Sequence, residues 1–172
     1  DERRLWWELS CCLLSSQVPY ALAAAASDRI RESDLLISPH ASEDALADDL
    51  SALLTAPLSM SGSSRRYRFP QARARQLAST KVAVQATAGS LCELISTAGT
   101  GEAVREWLVG KALGIGPKQA SMFVRNVGLS YELAILDRHV LNYMKALDIA
   151  PTPIRAPSSL PPYLRGETAL RV

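Results

Sequence analysis

Apolar residues recur along this chain at the alternating three- and four-residue spacing of a helix with one buried face. From Glu43 to Leu54 they fall at Leu46, Leu50, Leu53 and Leu54, and from Glu102 to Lys111 at Val104, Trp107 and Leu108. From Pro117 to Val127 they fall at Ala120, Phe123, Val124 and Val127, and from Arg138 to Leu147 at Val140, Tyr143, Met144 and Leu147. No comparable stretch alternates strictly as a half-buried strand would. Breaks fall at Pro57–Ser64, Ala98–Gly101, Leu113–Gly116 and Ile149–Pro162. The last break holds five prolines between Pro151 and Pro162, so residues from about 149 to 172 are expected to be a connector or tail, not a helix. The pattern predicts an all-α fold of short helices with punctuated loops.

Composition narrows the picture. A chain of 172 residues with 48% apolar content has the size and material for one compact domain over 1–172. No run approaches the roughly 20 apolar residues of a membrane span, and Leu5–Leu14 is interrupted by Glu8 and Ser10. The chain opens on Asp1 instead of methionine, which points to a piece of a longer protein. Three cysteines, Cys11, Cys12 and Cys92, cannot all pair, which favours a reducing compartment, and the adjacent Cys11 and Cys12 are expected to be buried thiols. No cysteine follows Cys92 in these residues, so a C-terminal four-cysteine iron–sulfur loop is not expected.

The net charge of +2 is too small to announce a nucleic-acid binder, but it is unevenly spread. Between Arg65 and Lys81 stand six basic residues (Arg65, Arg66, Arg68, Arg73, Arg75, Lys81) and no acid, whereas Asp28–Leu50 carries seven acids against two arginines. The basic run reads either as a phosphate-facing surface or as a solvated helix face.

Candidate chemistry gathers between Leu113 and Val140. Leu113-Gly114-Ile115-Gly116-Pro117-Lys118 forms a Gly-apolar-Gly turn between two helical patterns, and Asp137-Arg138-His139 follows nineteen residues after the lysine. Pro117 suits a first helical position, where its missing N–H costs nothing. Glycines at 114 and 116 would let a phosphate approach the Gly114, Ile115 and Gly116 backbone amides at a helix start. An ordinary αα-turn explains the same glycines. At roughly 100° per residue, Lys118 falls opposite the apolar stripe, beside Ser121, Met122 and Arg125. A first helical turn is an unfavourable place for an ammonium, because the helix dipole opposes it and favours the neutral amine. That amine is the form a nucleophile needs; a solvated lysine or a plain phosphate contact is the alternative. Asp137 follows the apolar run Leu133–Leu136 and is expected to cap the helix beginning at Arg138 while staying ionised. His139 could donate to a phosphate or simply pack.

These residues together resemble the helix-hairpin-helix DNA glycosylase superfamily in its lysine-bearing, bifunctional form. Glu106–Val109, Phe123–Gly128 and Arg68–Ala74 are similar to the type-2 branch of 8-oxoguanine glycosylase/lyases, and Leu14-Ser15-Ser16-Gln17 to the superfamily's Leu-Ser-x-Gln turn. The resemblance implies a compact multi-helix glycosylase fold with the hairpin at about 102–128. It implies Lys118 as nucleophile and Asp137 as its acid partner. Contacts to DNA are implied from Gly114, Ile115, Gly116, Gln17, His139, Arg125, Arg68 and Arg73. Gln17 would enter the space left by an extruded base, or else belong to a capping turn. The implied reaction excises 8-oxoguanine from duplex DNA through a lysine Schiff base and then nicks the strand. It needs no cofactor and no metal at the catalytic site, although an alkali cation at hairpin carbonyls is compatible. The implied setting is a monomer in a prokaryotic-type cytoplasm, on the nucleoid. The chain's Pro-rich end departs from the type-2 pattern, where C-terminal residues help to recognise the base. Other modified bases, a non-catalytic DNA-binding module, and a helical interaction protein with a chance Lys118–Asp137 pair remain the competing readings.

Overall fold

A computed structural model describes residues 1–60, 62–149 and 157–171. Its contacts divide into two compact units, one of residues 1–97 with 111–114, the other of 98–110 with 115–172. Nine helices and one two-stranded hairpin occur among the described residues.

The first unit holds α1 (Glu2–Leu14), α2 (Tyr20–Ser33), α3 (Glu43–Thr55), β1 (Leu58–Met60), β2 (Ser63–Arg65), α4 (Pro70–Ala88) and most of α5 (Leu91–Ala98). α1 packs on α2 and α3 on α4. From Leu9 to Leu14 every residue of α1 is buried, so this half of the helix has no polar face and little periodicity to read. Both Cys11 and Cys12 are buried there, and burial pushes the Cys11 thiol up to about 11. α3 follows its apolar stripe, capped by the Ser42 hydroxyl, which accepts the Ala45 amide at 3.1 Å. Its far end is closed by Arg29, whose guanidinium donates to the carbonyls of Leu53, Ala56 and Pro57. The loop expected at Pro57–Ser64 contains the antiparallel β1–β2 pair, with Leu58 opposite Arg65.

α4 hides its helix signal because it buries small and polar residues: Ala74, Ala78, Thr80 and Lys81 beside Leu77 and Val84. Lys81 therefore leaves the expected basic face. Its ammonium is buried, donates to the carbonyls of Leu35 and Ser38, and lies 3.1 Å from His40 Nδ1. Desolvation lowers its pKa.

The second unit holds α6 (Gly101–Lys111, its last residue excepted), α7 (Pro117–Asn126), α8 (Arg138–Ala146) and α9 (Leu160–Leu170). α8 buries Leu141 and Met144, while Tyr143 and Leu147, expected on its apolar stripe, stand 61% and 51% exposed. The core on this helix comes instead from Leu136 and from Tyr163 of α9, with Ala134, Val140, Ala169 and Leu170 around it.

α9 corrects the expected tail. Residues 150–156 lie outside the described residues, but Leu160–Leu170 is helical and buries Tyr163, Gly166 and Glu167. Pro161 and Pro162 sit in the first turn, where a proline forfeits no intrahelical bond. Prolines that usually signal a break here start a helix.

Candidate active site

The turn ahead of α7 places its residues by two different means. Gly114 has φ +82°, the left-handed region that favours glycine. A Cβ at that position would lie 2.4 Å from the Gln76 carboxamide. Gln76 also accepts a hydrogen bond at 2.7 Å from Arg73, whose guanidinium reaches the Ser16 carbonyl at 3.4 Å. Gly114, Gln76, Arg73 and the Ser16–Gln17 turn thus form one connected patch of the first unit. Gln17 is exposed and held at φ +61°, a conformation that costs a residue with a side chain about 1 kcal/mol or more. Arg73, expected to reach DNA, is half-buried and tied inward, whereas Arg68 is exposed over the Phe69 ring at 4.9 Å.

Gly116 is extended and needs no glycine for its backbone; it is the N-cap of α7. Its amide donates to Gln119 Oε1 at 2.9 Å, so this N–H is turned to the helix's own side chain, half of a capping box. Ile115 is buried and anchors the turn.

Lys118 follows Pro117, the first residue of α7, and is half-buried. Ser121, expected on the same outward face, is instead fully buried and receives a 3.4 Å hydrogen bond from Arg105. The helix is therefore covered over more of its circumference than its apolar residues indicate. Arg125, one turn further on, is exposed.

Asp137 caps α8 as expected. One carboxylate oxygen accepts the amides of Val140 and His139, each at 2.8 Å. The Val140 amide is the main influence holding the carboxyl below its ordinary value, burial opposes it, and the His139 amide and the charges of His139 and Lys118 assist. Lys118 thus lies within electrostatic reach of Asp137, in one compact unit with Arg125 and His139. Beside Asp137 opens a cleft of about 550 Å³, lined by Arg125, Tyr131, Ile135, Val140 and Arg171 among others. Tyr131 is 74% exposed at its edge.

Sequence reasoning missed the support beneath Asp137. Arg105 of α6 and Glu167 of α9 form a buried ion pair, 3.0 Å apart. Glu167 accepts the Ala134 amide at 2.6 Å, and the Tyr163 hydroxyl accepts the Leu136 amide at 2.9 Å while donating to the Ala134 carbonyl at 2.8 Å. An arginine within an apolar helical stripe was the available signal for this network; its acid partner lay sixty-two positions away.

A helical chain with a glycine turn, a lysine at the next helix start and, within its electrostatic reach, an aspartate that caps a further helix has the layout of a helix-hairpin-helix glycosylase. A family model described as 8-oxoguanine DNA glycosylase matches residues 1–172. The chain belongs to the 8-oxoguanine DNA glycosylase family. The 8-oxoguanine DNA glycosylase/AP lyase of Fusobacterium nucleatum is 28% identical over 167 residues, 95% of this chain and 68% of that protein. The Thermoplasma volcanium protein of the same name is 31% identical over 140 residues, 81% of this chain and 58% of that one. Among solved structures, the 8-oxoguanine DNA glycosylase of Thermotoga maritima superposes with a TM-score of 0.69 at 30% identity, covering 99% of this chain and 70% of that one. A Methanocaldococcus jannaschii 8-oxoguanine glycosylase/lyase, solved with a 15mer DNA containing 8-oxoguanine, superposes with a TM-score of 0.63 at 25% identity over 99% of this chain and 71% of that one. Among the described residues no helix is long and apolar enough to cross a membrane.

Proposed function

We propose that this chain is a bifunctional DNA glycosylase/AP lyase that removes 8-oxoguanine from duplex DNA, with Lys118 as nucleophile and Asp137 as its acid partner. The observation that carries the reading is the Asp137 carboxylate, kept ionised by two α8 amides within the field of a lysine at the start of α7.

The target nucleotide leaves the base stack at a cost of a few kcal/mol, and the cleft beside Asp137 offers it room. The Lys118 amine attacks C1′ as the bond to the base breaks, and the base leaves with the bonding electron pair. The Asp137 carboxylate takes part in deprotonating Lys118 and offsets the positive charge developing on the sugar. Ring opening gives a Schiff base between Lys118 and C1′. Loss of a C2′ proton then expels the 3′ phosphate by β-elimination and nicks the strand. Phosphates are held by the 114–116 turn, Arg125 and His139, and Arg68 and Gln17 are further DNA contacts; an alkali cation at the turn carbonyls is compatible with this. Residues 1–172 act as one glycosylase domain, as a monomer, on the nucleoid of a prokaryotic-type cytoplasm.

Borohydride trapping tests the reading. Wild type mixed with duplex DNA carrying 8-oxoguanine opposite cytosine and reduced with borohydride gives a slower protein–DNA band on a denaturing gel. Lys118→Gln gives none while still binding the duplex. An equal band from the glutamine variant overturns the nucleophile. Faster cutting of duplexes carrying uracil or an alkylated purine overturns the base assignment and leaves the lysine chemistry intact.

A further inference from the structure

We infer that Tyr163 and Glu167 of α9, with Arg105 of α6 and Ser121 of α7, are positioning residues that hold the Asp137 carboxylate in register with Lys118; this rests on the catalytic assignment proposed above.

Residues 134–137 reach Asp137 without helix or strand, so neighbouring chain cannot satisfy their backbone groups in the usual ladder. α9 supplies the partners. The Tyr163 hydroxyl takes the Leu136 amide and gives its proton to the Ala134 carbonyl, clamping the segment from both sides of Ile135. Glu167 takes the Ala134 amide on the same oxygen that faces Arg105 at 3.1 Å. Arg171, at the end of α9, donates to the Glu132 carbonyl at 2.8 Å.

The clamp is also joined to the lysine helix. Arg105 Nη1 donates to the Ser121 hydroxyl at 3.4 Å as well as to the Glu167 carboxylate, so α7 and the Ala134 amide meet at one guanidinium. The Tyr163 hydroxyl accepts once, from Leu136, and donates once, to Ala134, while Ser121 accepts from Arg105. Ser121 stands one turn after Lys118 on α7. A shift of α7 along its axis would break the same network that fixes residues 134–136, so the two helix starts that carry Lys118 and Asp137 keep a common reference.

Tyr163, Glu167, Arg105 and Ser121 are all buried. None reaches the open cleft, so they act on the reaction only through what they hold. An apolar residue in place of the Arg105–Glu167 pair would pack at least as well as a buried ion pair. The pair's specific service is the Ala134 amide.

The test compares wild type with Tyr163→Phe, Glu167→Gln, Asp137→Asn and the double variant Tyr163→Phe/Asp137→Asn. Amide hydrogen exchange across 133–137 reads the clamp without reference to catalysis, and single-turnover excision reads its consequence. Tyr163→Phe is expected to bind the 8-oxoguanine duplex within about twofold of wild type, speed exchange at Leu136 and cut the rate by roughly 10- to 100-fold. The double variant should be no slower than Asp137→Asn alone, since a positioning residue has nothing left to position. Glu167→Gln keeps an oxygen for the Ala134 amide and should fall between wild type and Tyr163→Phe, giving a second reading if the phenylalanine variant folds poorly. Unchanged exchange overturns the clamp. Faster exchange with an unchanged rate, or a double variant slower by the full product of the singles, overturns the positioning role. Full activity in Asp137→Asn overturns the catalytic assignment itself, and the positioning role with it, even where exchange shows the clamp intact.

Discussion

In the folded chain the Asp137 carboxyl accepts two amide hydrogen bonds that the unfolded chain lacks, so its acidity and the stability of α8 are linked. Its folded pKa lies below the unfolded value of about 3.9. The stabilisation is therefore present in full above that value and is lost as pH falls through the folded pKa. Thermal melts of wild type and Asp137→Ala should converge below about pH 4 and separate above it. Asp137→Asn separates the cap from the chemistry, because asparagine caps a helix about as well as aspartate. Its melting temperature should stay near wild type while single-turnover excision falls by about 10²–10⁴-fold, the usual loss for one positioned acid/base group. A variant with near-native turnover would leave Asp137 with only its capping role.

At the scale of elements, the turn between α6 and α7 distinguishes its two glycines. Gly114→Ala forces a side chain into a left-handed conformation and against the Gln76 carboxamide, which would have to release Arg73. It should cost on the order of 1–3 kcal/mol of stability, measured by denaturant unfolding. Gly116→Ala meets only Gln119 Oε1, at 3.4 Å, in a backbone conformation any residue adopts. It should fold normally, and a several-fold loss of duplex affinity would then report a phosphate crowded by the new methyl. Unchanged affinity would place the phosphate elsewhere than at this amide, in keeping with its existing bond to Gln119.

Across the whole molecule, the basic residues that remain at the surface of the 65–81 stretch are Arg65, Arg66, Arg68 and Arg75, since Lys81 is buried and Arg73 half-buried. Each of these four that meets a phosphate should contribute about 0.9 to the slope of log affinity against log salt. Reversing Arg66 and Arg68 to glutamate is expected to flatten that slope by one to two such steps with little change in the excision rate of the bound complex. An unchanged slope would mark the stretch as a solvated face. Binding titrations at several salt concentrations make the distinction.

How much of this was legible in the chain follows from the range of each interaction. Local signals sufficed wherever the cause was local. Three-and-four spacing marked α3, α6, α7 and α8, the Gly-Ile-Gly-Pro turn marked the start of α7, and Asp137 before a helical pattern marked a cap. Helices whose burial is not apolar on one face escaped: α1 is buried all round from Leu9 to Leu14, and α4 hides alanine, threonine and a lysine. The Pro-rich end read as a break because proline's effect depends on where in a helix it stands, and only the fold placed Pro161 and Pro162 in a first turn. The nineteen-residue spacing singles out Lys118 and Asp137 as the candidate pair. That Ser121 is buried, that Arg105 pairs with Glu167 and that Tyr163 holds both sides of Ile135 depend on chain segments tens of residues apart. Such contacts exist only when side chains from separate helices meet, so the sequence by itself determined which residues could do the chemistry, and tertiary packing decided what holds them in place.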